Sequence, residues 1–364
     1  MKVALLGCGW IAGWGHARAL PQVSSWEVVA VADPSQVRAS AVAEQLSVDR
    51  RRCMSTLDEL LELDDVELVA VLTPPHLHRQ QVEAIVAAGK HVACEKPFAL
   101  TLADADAMLE AADAAGVSVS VFHNHVCYEE HQIGRRLVDE GAIGDVEGIV
   151  VNGLGARPWA GAEEYRPEWR RDPGLGGGGA LMDAGIHGLY LTEHYFGTSP
   201  SWVGATMVPT VGSDHVETYA YVQLGYAGGV ATVGIGWGGG PAHLEVFGRK
   251  GRISMAFDST VGYFGQQPES VRLVTGGKLA AEHPVADRDF QLFTPAIYEG
   301  IAERVRDPST WWRLSGEQGR EALELVLAAY ASAARREVVP LPLRRGDPVY
   351  AAGLAGIDGT PKDG

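Results

Sequence analysis

A lysine stands at an unusual place in the chain. Lys96 comes directly after an apolar stretch, residues 91–94, that has the character of a buried strand, and Pro97 follows it. Burying an ammonium group is costly unless the group is paired or neutralised, and Pro97 restricts the backbone of Lys96 to extended conformations. Open α/β sheets bind ligands at the carboxyl ends of their parallel strands. Lys96 is therefore a candidate catalytic and substrate-binding residue; the alternative is a solvated charge in a surface turn.

An acidic residue and a histidine lie four positions apart much later in the chain. Asp183 and His187 follow a run of four glycines and belong to a stretch with helical character. The i, i+4 spacing places both side chains on one helix face. The ordinary pKa of histidine, about 6.5, suits an imidazole that takes and gives protons near neutral pH. The pair is a candidate catalytic site, and its spacing also fits an exposed ion pair or part of a metal site with His123 or His125.

Length and composition limit the class of protein. The chain has 364 residues, of which 46% are hydrophobic, and this suits two globular domains. The formal net charge of −16 argues against a nucleic acid partner, because binding a polyanion requires a basic surface. The four cysteines show no C-x-x-C spacing, and no apolar run approaches the ~18 residues that span a bilayer. We therefore expect a cytoplasmic protein with reduced thiols and no membrane association.

The first residues have the signature of a dinucleotide-binding turn. Residues 2–6 predict a strand, residues 7–13 fit the pattern G-x-G-x-x-G/A, and residues 27–32 predict a second strand that ends at Asp33. Glycines at these positions let backbone N–H groups approach a pyrophosphate at a helix N-terminus. Asp33 is expected to accept hydrogen bonds from the adenosine ribose hydroxyls. The predicted cofactor-binding residues of this segment are Gly7, Gly9, Trp10, Ile11, Ala12 and Asp33.

The carboxylate of Asp33 also bears on which dinucleotide binds. A carboxylate at this position would repel a 2′-phosphate, so NAD is the expected cofactor. Arg38 lies one helical turn further along the chain and keeps NADP as the less favoured option.

Strands and helices continue to alternate as far as residue 122. The alternation predicts an α/β domain with a six-stranded, doubly wound parallel sheet, the Rossmann fold. One predicted strand, residues 67–72, ends in a turn that two prolines stiffen. The two histidines of this turn are too few for a zinc site, so we predict that the turn packs against the nicotinamide or its ribose. The remaining predicted cofactor-binding residues are Thr73, Pro74, His76, His78, Glu95 and Lys96.

The second half of the chain has a different pattern. Residues 146–153 predict a long strand, and residues 201–274 contain five or six segments of alternating β-branched and polar residues, as in antiparallel hairpins. We therefore predict a C-terminal α/β domain with a large open, mainly antiparallel sheet. Helices at 290–306 and 317–335 are expected to return to the first domain and to the far side of the second. That arrangement leaves one sheet face free for assembly into a homodimer or homotetramer.

A long irregular segment, residues 156–179, is rich in tryptophan, arginine and glycine. Segments of this kind inside compact domains are usually functional loops. We expect the loop with Trp159 and Trp169 to close over the substrate, where Trp169 stacks on a sugar face; a packed surface loop is the alternative. The predicted domains are residues 1–123 for NAD binding, residues 124–345 for substrate binding and oligomerisation, and a flexible tail at 346–364.

The motifs above, in this order, resemble those of the glucose-fructose oxidoreductase/inositol dehydrogenase (Gfo/Idh/MocA) family. The resemblance extends to about residue 343, and its most specific elements are Glu95-Lys96-Pro97 and the Asp183/His187 pair. It implies a Rossmann domain joined to an α/β domain with a large open sheet, through which members often form dimers or tetramers. It also implies that Lys96 is the catalytic lysine, that His187 is the acid/base, and that Asp183 is its partner and holds a substrate hydroxyl.

Two positions depart from the pattern of that family. His76 stands where many members have asparagine, and Val126, which follows Asn124 and His125, stands where many have arginine. Both positions are expected near the substrate and the nicotinamide, so these departures concern substrate identity more than cofactor binding. With Trp169 from the irregular segment, the predicted substrate-binding residues are Lys96, Asn124, His125, Trp169, Asp183 and His187.

The resemblance implies an NAD-dependent oxidoreductase that transfers hydride between nicotinamide and a secondary alcohol of a sugar, cyclitol or sugar derivative. In this reaction His187 takes the alcohol proton and Lys96 stabilises the developing alkoxide. One alternative is an NAD-dependent glycosidase that oxidises its sugar transiently. A non-catalytic regulator on the same fold is a second alternative, which the presence of both Lys96 and His187 disfavours. A metal-dependent variant, although no metal site is predicted, is a third.

Overall fold

The computed structural model describes residues 1–156, 167–209, 215–238, 242–257, 268–287 and 293–359. The described residues divide into two compact units. The first contains Met1–Asn124 and the described part of 291–321, and the second contains the described residues of 125–290 and 322–359. The predicted boundary after residue 123 lies one residue from this division, but the segment from 291 to 321 belongs to the first unit and not to the second. The expectation that a helix near residue 300 returns to the first domain agrees with this.

A parallel sheet forms the centre of the first unit. Its strands are β1 (Lys2–Leu6), β2 (Glu27–Ala32), β3 (Cys53–Met54), β4 (Leu68–Val71), β5 (His91–Cys94) and β6 (Val119–Val121). Their spatial order is β3-β2-β1-β4-β5-β6, and every neighbouring pair is parallel. The strands are short, rich in Val and Ala and mostly buried, as expected when helices cover both faces. The predicted six-stranded, doubly wound sheet is confirmed, and its order reverses between β1 and β4, where such sheets bind ligands.

Helices connect the strands of the first unit. The longer ones are Gln36–Gln45, Leu57–Leu61, His78–Ala87, Leu102–Ala115 and Pro295–Arg306. Shorter helical turns lie at Ile11–His16, Ala17–Ala19, Leu20–Gln22, Arg50–Arg52, Pro75–Leu77 and Trp312–Leu314. Ser35, Thr56 and Thr101 cap the helices that follow them by accepting a backbone N–H three residues ahead. These caps explain why the helices begin where they do.

A nine-stranded sheet forms the centre of the second unit. Its strands are β7 (Val146–Ala156), β8 (Trp202–Val208), β9 (Tyr219–Tyr226), β10 (Gly229–Trp237), β11 (Ala242–Gly248), β12 (Gly251–Phe257), β13 (Ser270–Thr275), β14 (Lys278–Pro284) and β15 (Val339–Pro340). Their order is β14-β13-β12-β11-β7-β10-β9-β8-β15. Only the pairing of β7 with β10 is parallel among the described strands of this sheet. The predicted large, mainly antiparallel sheet is confirmed.

The two faces of this sheet differ. A Cβ placed on Gly188 would lie 2.8 Å from Cγ1 of Val233 on β10, so the helix Ile186–Phe196 lies directly against one face. On the other face Tyr221, Val230 and Phe247 are exposed. Val230 on β10 and Phe247 on β11 both align with Gly148 on β7, which lies between them. Tyr221 on β9 aligns with Gly234 on β10, an even number of residues from Val230. These three exposed side chains therefore share one face.

Helices of the second unit are Glu129–Asp139, Pro173–Gly176, Ile186–Phe196 and Pro348–Ala352, with tighter or wider turns at Pro167–Arg171, Leu181–Gly185 and Gly353–Gly359. The segments Asn124–Cys127 and Gly316–Arg335 contain residues of both units. Residues 348–359 form helical turns where a flexible tail was expected. Val349 and Tyr350 are buried there, and Asp347 accepts two hydrogen bonds from Arg335 at 2.7 and 2.6 Å. No helix among the described residues is both long enough and apolar enough to cross a bilayer.

Candidate active site

The glycine-rich turn of the first unit leaves room for a ligand. Gly7 has a φ of +94°, and its N–H donates to the carbonyl of Ala32 at 2.8 Å. A Cβ on Gly9 would have nothing within 4 Å, whereas one on Gly7 would lie 2.9 Å from Cγ2 of Thr73. The helical segment Ile11–His16 begins directly after this open space. Open space in front of a helix N-terminus fits the pyrophosphate of a dinucleotide.

The other predicted residues of the glycine-rich motif pack at the start of the helical segment that follows the turn. Trp10 precedes the first helical turn and stacks on Trp14, with 4.9 Å between the ring centroids. Ile11 is half-buried, and Ala12 is fully buried. Burial, and then the charge of Asp33, raise the pKa of the Cys8 thiol to about 12. Cys8 is therefore a neutral thiol in the turn.

Asp33 follows β2, as predicted, and its carboxylate is held by three donors. Oδ2 accepts the N–H of Cys8 at 2.8 Å, and Oδ1 accepts the N–H of Ser35 and Nη2 of Arg38, each at 2.8 Å. Asp33 is 4% exposed, whereas the side chain of Arg38 is 31% exposed. The acidic residue expected at the ribose is thus paired with the cation that would favour a 2′-phosphate.

His78 joins two loops of the first unit. Its Nε2 lies 2.8 Å from the carbonyl oxygen of Thr73, and its Nδ1 lies 3.1 and 3.2 Å from the carbonyl oxygens of Pro97 and Phe98. Burial lowers the pKa of His78, and the side chain has no exposed surface. His78, predicted from sequence as a cofactor contact, therefore links these two loops internally. His76, by contrast, is exposed, and Thr73 and Pro74 are half-buried.

Glu95 supports the backbone of Lys96. Its Oε2 accepts the N–H of Lys96 at 3.0 Å, and its Oε1 lies 3.1 Å from Nε2 of His16. Nδ1 of His16 lies 3.0 Å from the hydroxyl of Tyr298, and its ring stacks on Phe293 with 4.0 Å between centroids. Sequence reasoning missed His16, which follows the glycine-rich motif without a spacing that signals a function. Lys96 itself is half-buried after β5.

His123 is buried close enough to Lys96 to be affected by its charge. Burial, then the charges of Arg313 and Lys96, lower the pKa of His123 to about 3. Its Nδ1 lies 3.1 Å from the carbonyl oxygen of Arg313. A carbonyl only accepts, so Nδ1 carries the proton and the neutral ring offers Nε2 as an acceptor. Asn124, the next residue and a predicted substrate contact, is buried at the end of the first unit.

In the second unit, Asp183 lies in a π-helical segment, Leu181–Gly185, which continues as the helix Ile186–Phe196. The side chain of Asp183 is 14% exposed, and its Oδ1 lies 3.5 Å from Nε of Arg170. The guanidinium of Arg170 lies over the ring of Trp169, 4.4 Å from its centroid. Arg170, which sequence reasoning did not assign, thus contacts both Trp169 and Asp183, two of the predicted substrate-binding residues. Short π segments within helices occur frequently at functional sites.

A buried carboxylate anchors the start of this helical region. Glu217 accepts the N–H groups of Gly179 at 3.1 Å and Leu181 at 2.7 Å, and the hydroxyl of Tyr330 at 3.2 Å. Burial raises the pKa of Glu217 to about 7, although these donors act in the opposite direction. The first turn that carries Asp183 is therefore fixed by a residue from a distant part of the chain.

His187 is held on two sides within the second unit. Its Nδ1 lies 2.6 Å from the hydroxyl of Tyr190, and its ring stacks on His125 with 4.1 Å between centroids and 12° between planes. His125 in turn stacks on Tyr128 at 4.8 Å. The structure thus brings together His187 and His125, which the sequence assigned to the substrate. Tyr190 was missed, although it lies three positions after His187, where i, i+3 neighbours meet on a helix.

Each unit gathers its own share of the predicted residues. The first groups Gly7, Gly9, Asp33, Thr73, Glu95 and Lys96 at or just after the carboxyl ends of β1, β2, β4 and β5. The second holds two sets of contacts: Asp183 with Arg170 and Trp169, and His187 with His125. Across the described ranges, no group of three or more His, Cys, Asp and Glu side chains is arranged to hold a metal ion.

Two family models match the chain. One, described as "Oxidoreductase family, NAD-binding Rossmann fold", matches residues 1–123, and the other, described as "GFO/IDH/MocA C-terminal domain", matches residues 131–254.

Curated relatives carry the names of sugar and cyclitol enzymes. An NADP(+)-dependent scyllo-inositol 2-dehydrogenase of Bacillus subtilis is 28% identical over 62% of this chain and 60% of its own length. An inositol 2-dehydrogenase of Rhizobium meliloti is 25% identical over 94% of this chain and 99% of its own length. A 2,7-anhydro-N-acetylneuraminate hydratase of Escherichia coli is 29% identical over 57% of this chain and 56% of its own length. The chain thus spans less than two thirds of the Bacillus and Escherichia proteins.

A solved structure agrees over nearly the whole chain. The aldose-aldose oxidoreductase from Caulobacter crescentus, complexed with glycerol, has a TM-score of 0.79 and 28% identity. The match covers 94% of this chain and 99% of that one.

Proposed function

Because the chain belongs to the Gfo/Idh/MocA family of oxidoreductases, we propose that it interconverts a secondary alcohol and a ketone with a nicotinamide dinucleotide. The observation that supports the proposal is the arrangement of the first unit, where an open glycine turn, Asp33 after β2 and Lys96 after β5 lie at the carboxyl ends of parallel strands, as in dinucleotide sites. NAD is the proposed cofactor, and NADP is the second option because Arg38 pairs with Asp33.

A polyol of the sugar or cyclitol class is the proposed substrate. Two relatives are named for inositol oxidation, and the Caulobacter structure was obtained with glycerol. The second unit offers groups that suit vicinal hydroxyls: the carboxylate of Asp183, the guanidinium of Arg170 and the ring of Trp169. The carboxylate accepts hydrogen bonds from hydroxyls, the guanidinium donates hydrogen bonds to them, and the flat indole ring suits the face of a sugar.

The chain's own residues provide the acid–base chemistry. Bound NAD(P) supplies the hydride acceptor or donor. Lys96, whose backbone Glu95 holds, stabilises negative charge on the reacting oxygen. His187 takes the alcohol proton during oxidation and returns it during reduction. Asp183 orients the substrate by holding a neighbouring hydroxyl.

Two substitutions test these roles. Lys96→Ala and His187→Ala are each expected to abolish turnover while NAD binding, measured by isothermal titration, survives. The exposed Lys278, on β14 of the second unit, provides a matched control, and Lys278→Ala should leave turnover unchanged. The assay is appearance of NADH with a panel of cyclitols, free sugars and nucleotide-sugars. Normal steady-state rates in either the Lys96 or the His187 variant would contradict the assignment.

A second outcome of the same screen is informative because one relative is named a hydratase. A reaction that consumes no net NAD, such as release of a sugar from a glycoside with cofactor retained on the protein, would indicate transient oxidation. Lys96 and His187 would then serve a redox-neutral cycle, and the NAD-dependent glycosidase would be the better description.

We also propose assembly through the exposed face of the nine-stranded sheet. Tyr221, Val230 and Phe247 are exposed apolar side chains on that face, as expected for a contact with a second copy of the chain. Sedimentation equilibrium distinguishes monomer, dimer and tetramer, and Val230→Lys should shift the distribution toward monomer.

A further inference from the structure

The structure gives His187 a fixed partner on the side away from its proposed reaction. We propose that the hydroxyl of Tyr190 is a positioning group that keeps the proton of neutral His187 on Nδ1, so that Nε2 is the nitrogen that exchanges a proton with the substrate. This inference rests on the proposed role of His187 as the acid/base. It adds a residue that neither the sequence motifs nor the comparisons assign.

The contact between the two residues is short and buried. Oη of Tyr190 lies 2.6 Å from Nδ1 of His187, and the two residues are 0% and 2% exposed. The backbone N–H of His125 donates to the same Oη at 3.3 Å. A hydroxyl has two acceptor positions and one proton of its own, so Oη can accept the N–H of His125 and the Nδ1–H of His187 together while its own proton is donated to a third group.

The ring of His187 is also fixed in orientation. It stacks on His125, with 4.1 Å between centroids, and His125 stacks on Tyr128. A ring flip would exchange Nδ1 with a carbon and break the 2.6 Å contact inside a packed stack. Nδ1 therefore faces Tyr190 throughout, and the proposal assigns the proton exchange with the substrate to Nε2.

The proton balance follows from this geometry. In the oxidation direction the O–H bond of the alcohol breaks and its proton goes to Nε2, while the neighbouring C–H bond gives a hydride to bound NAD(P) and the C=O bond forms. Nε2 must be unprotonated beforehand, which requires the proton of neutral His187 to lie on Nδ1. The imidazolium that results still donates from Nδ1 to Tyr190, so the same bond stabilises its charge.

Other ionisable groups lie around this pair. Asp183, one turn earlier on the helix, pairs with Arg170 at 3.5 Å. The ring of His131 lies 6.2 Å from that of His125, and Nδ1 of His131 lies 3.0 Å from the hydroxyl of Tyr195. His131, on the helix Glu129–Asp139, and Tyr195, on the helix Ile186–Phe196, form a second buried histidine–tyrosine pair that provides a natural control.

The test compares Tyr190→Phe with Tyr195→Phe. Both tyrosines are fully buried on the helix Ile186–Phe196, and each loses only a hydroxyl bonded to a histidine Nδ1. In Tyr190→Phe an Nδ1–H would be buried without its acceptor, so the proton moves to Nε2 and kcat falls about 10- to 100-fold with KM nearly unchanged. Tyr195→Phe should keep kcat within about 3-fold of the wild type, because its partner is not the acid/base.

Nitrogen NMR of protein labelled with ¹⁵N-histidine reads the tautomer without substrate or turnover. We expect His187, assigned by its absence in His187→Asn, to be the Nδ1–H tautomer in the wild type and in Tyr195→Phe, and the Nε2–H tautomer in Tyr190→Phe. An Nε2–H tautomer in the wild type would overturn the inference even if Tyr190→Phe fails to fold. Wild-type kcat in Tyr190→Phe would also overturn it.

The experiments distinguish failure of the role proposed for Tyr190 from failure of the role proposed for His187. If His187→Asn is inactive while Tyr190→Phe has a normal tautomer and rate, only the role of Tyr190 is refuted. If His187→Asn is fully active, the assignment of His187 as acid/base is refuted, and with it the premise of this inference.

Discussion

Replacing His78 by alanine should destabilise the protein much more than replacing His76, two positions earlier. His78 lies at the start of the helix His78–Ala87 with no exposed surface, and its ring spans the carbonyl oxygens of Thr73 and of Pro97 and Phe98. It therefore ties the loop after β4 to the loop that follows Lys96. His76 is exposed and serves as the matched control.

The size of the effect follows from the contacts that are lost. Burial lowers the pKa of His78, so the ring is neutral at pH 7 and carries one N–H. Losing that donor leaves a buried carbonyl unsatisfied, at a cost of about 1–3 kcal/mol. The cavity left by the ring adds about 1–2 kcal/mol, by comparison with other large-to-small core substitutions. We expect His78→Ala to lower the free energy of unfolding by about 3 kcal/mol and His76→Ala by less than about 0.5 kcal/mol.

Urea denaturation followed by tryptophan fluorescence measures this difference. With an m-value of about 3 kcal/mol per molar, the midpoint for His78→Ala should fall by about 1 M relative to the wild type. The loop that follows Lys96 should also lose its fixed position, so turnover falls with stability. Equal midpoints for the two alanine variants would refute the interpretation of His78 as a structural link, and they would return it to the set of possible ligand contacts.

Two further predictions concern pH and cofactor choice. The pKa of His123 is about 3 in the folded chain and about 6.5 in the unfolded chain. Between these values the unfolded state binds more protons than the folded state. His123 should therefore lower the free energy of unfolding by up to about 1.4 kcal/mol for each pH unit that the pH falls. His123→Gln keeps a donor for the carbonyl of Arg313 and should make the free energy of unfolding depend less on pH, as measured by urea titrations at several pH values. An unchanged pH dependence would contradict the lowered pKa of His123. Asp33→Ala should weaken NAD binding and improve use of NADP, whereas Arg38→Ala should weaken NADP more than NAD, as measured by kcat/KM for each cofactor. An unchanged NAD/NADP ratio in both variants would contradict the roles of the two residues.

The sequence predicted well where hydrophobic runs meet glycine or a capping residue. The bounds of β1 and β2 agree with the prediction, because each is a short apolar run that ends at a turn signal. The strand β3 has only two residues, Cys53 and Met54, and lacks such a pattern. The helix Pro348–Ala352 was missed because glycine, aspartate and proline suggested disorder. Asp347 followed by Pro348 is in fact a helix start, since aspartate caps the helix and proline suits its first turn.

Contacts between distant parts of the chain could not be predicted from the sequence. His16 meets Tyr298 across 282 positions, and Gly179 and Leu181 meet Glu217 across 38 and 36. No local spacing reveals such partners, since they depend on how strands and helices pack. Tyr190 is different: it lies on the same helix as His187, at a spacing that could have been examined. The predicted residues Lys96, Asp183 and His187 carried local signals of their own, a charge at a strand end and a pair on one helix face.

The last strand of the large sheet bears on how the chain avoids self-aggregation. β15, residues Val339–Pro340, pairs with Val203 and Trp202 of β8, and the N–H of Leu341 donates to the carbonyl of Ser201 at 2.9 Å. An uncovered strand edge offers its backbone to any other extended polypeptide. On the ribosome, β8 is complete long before β15 is made, and its outer edge stays available for that whole interval. A chain that ends before residue 339 would lack the pairing that β15 gives to Trp202 and Val203, so we expect it to aggregate more readily than the full chain.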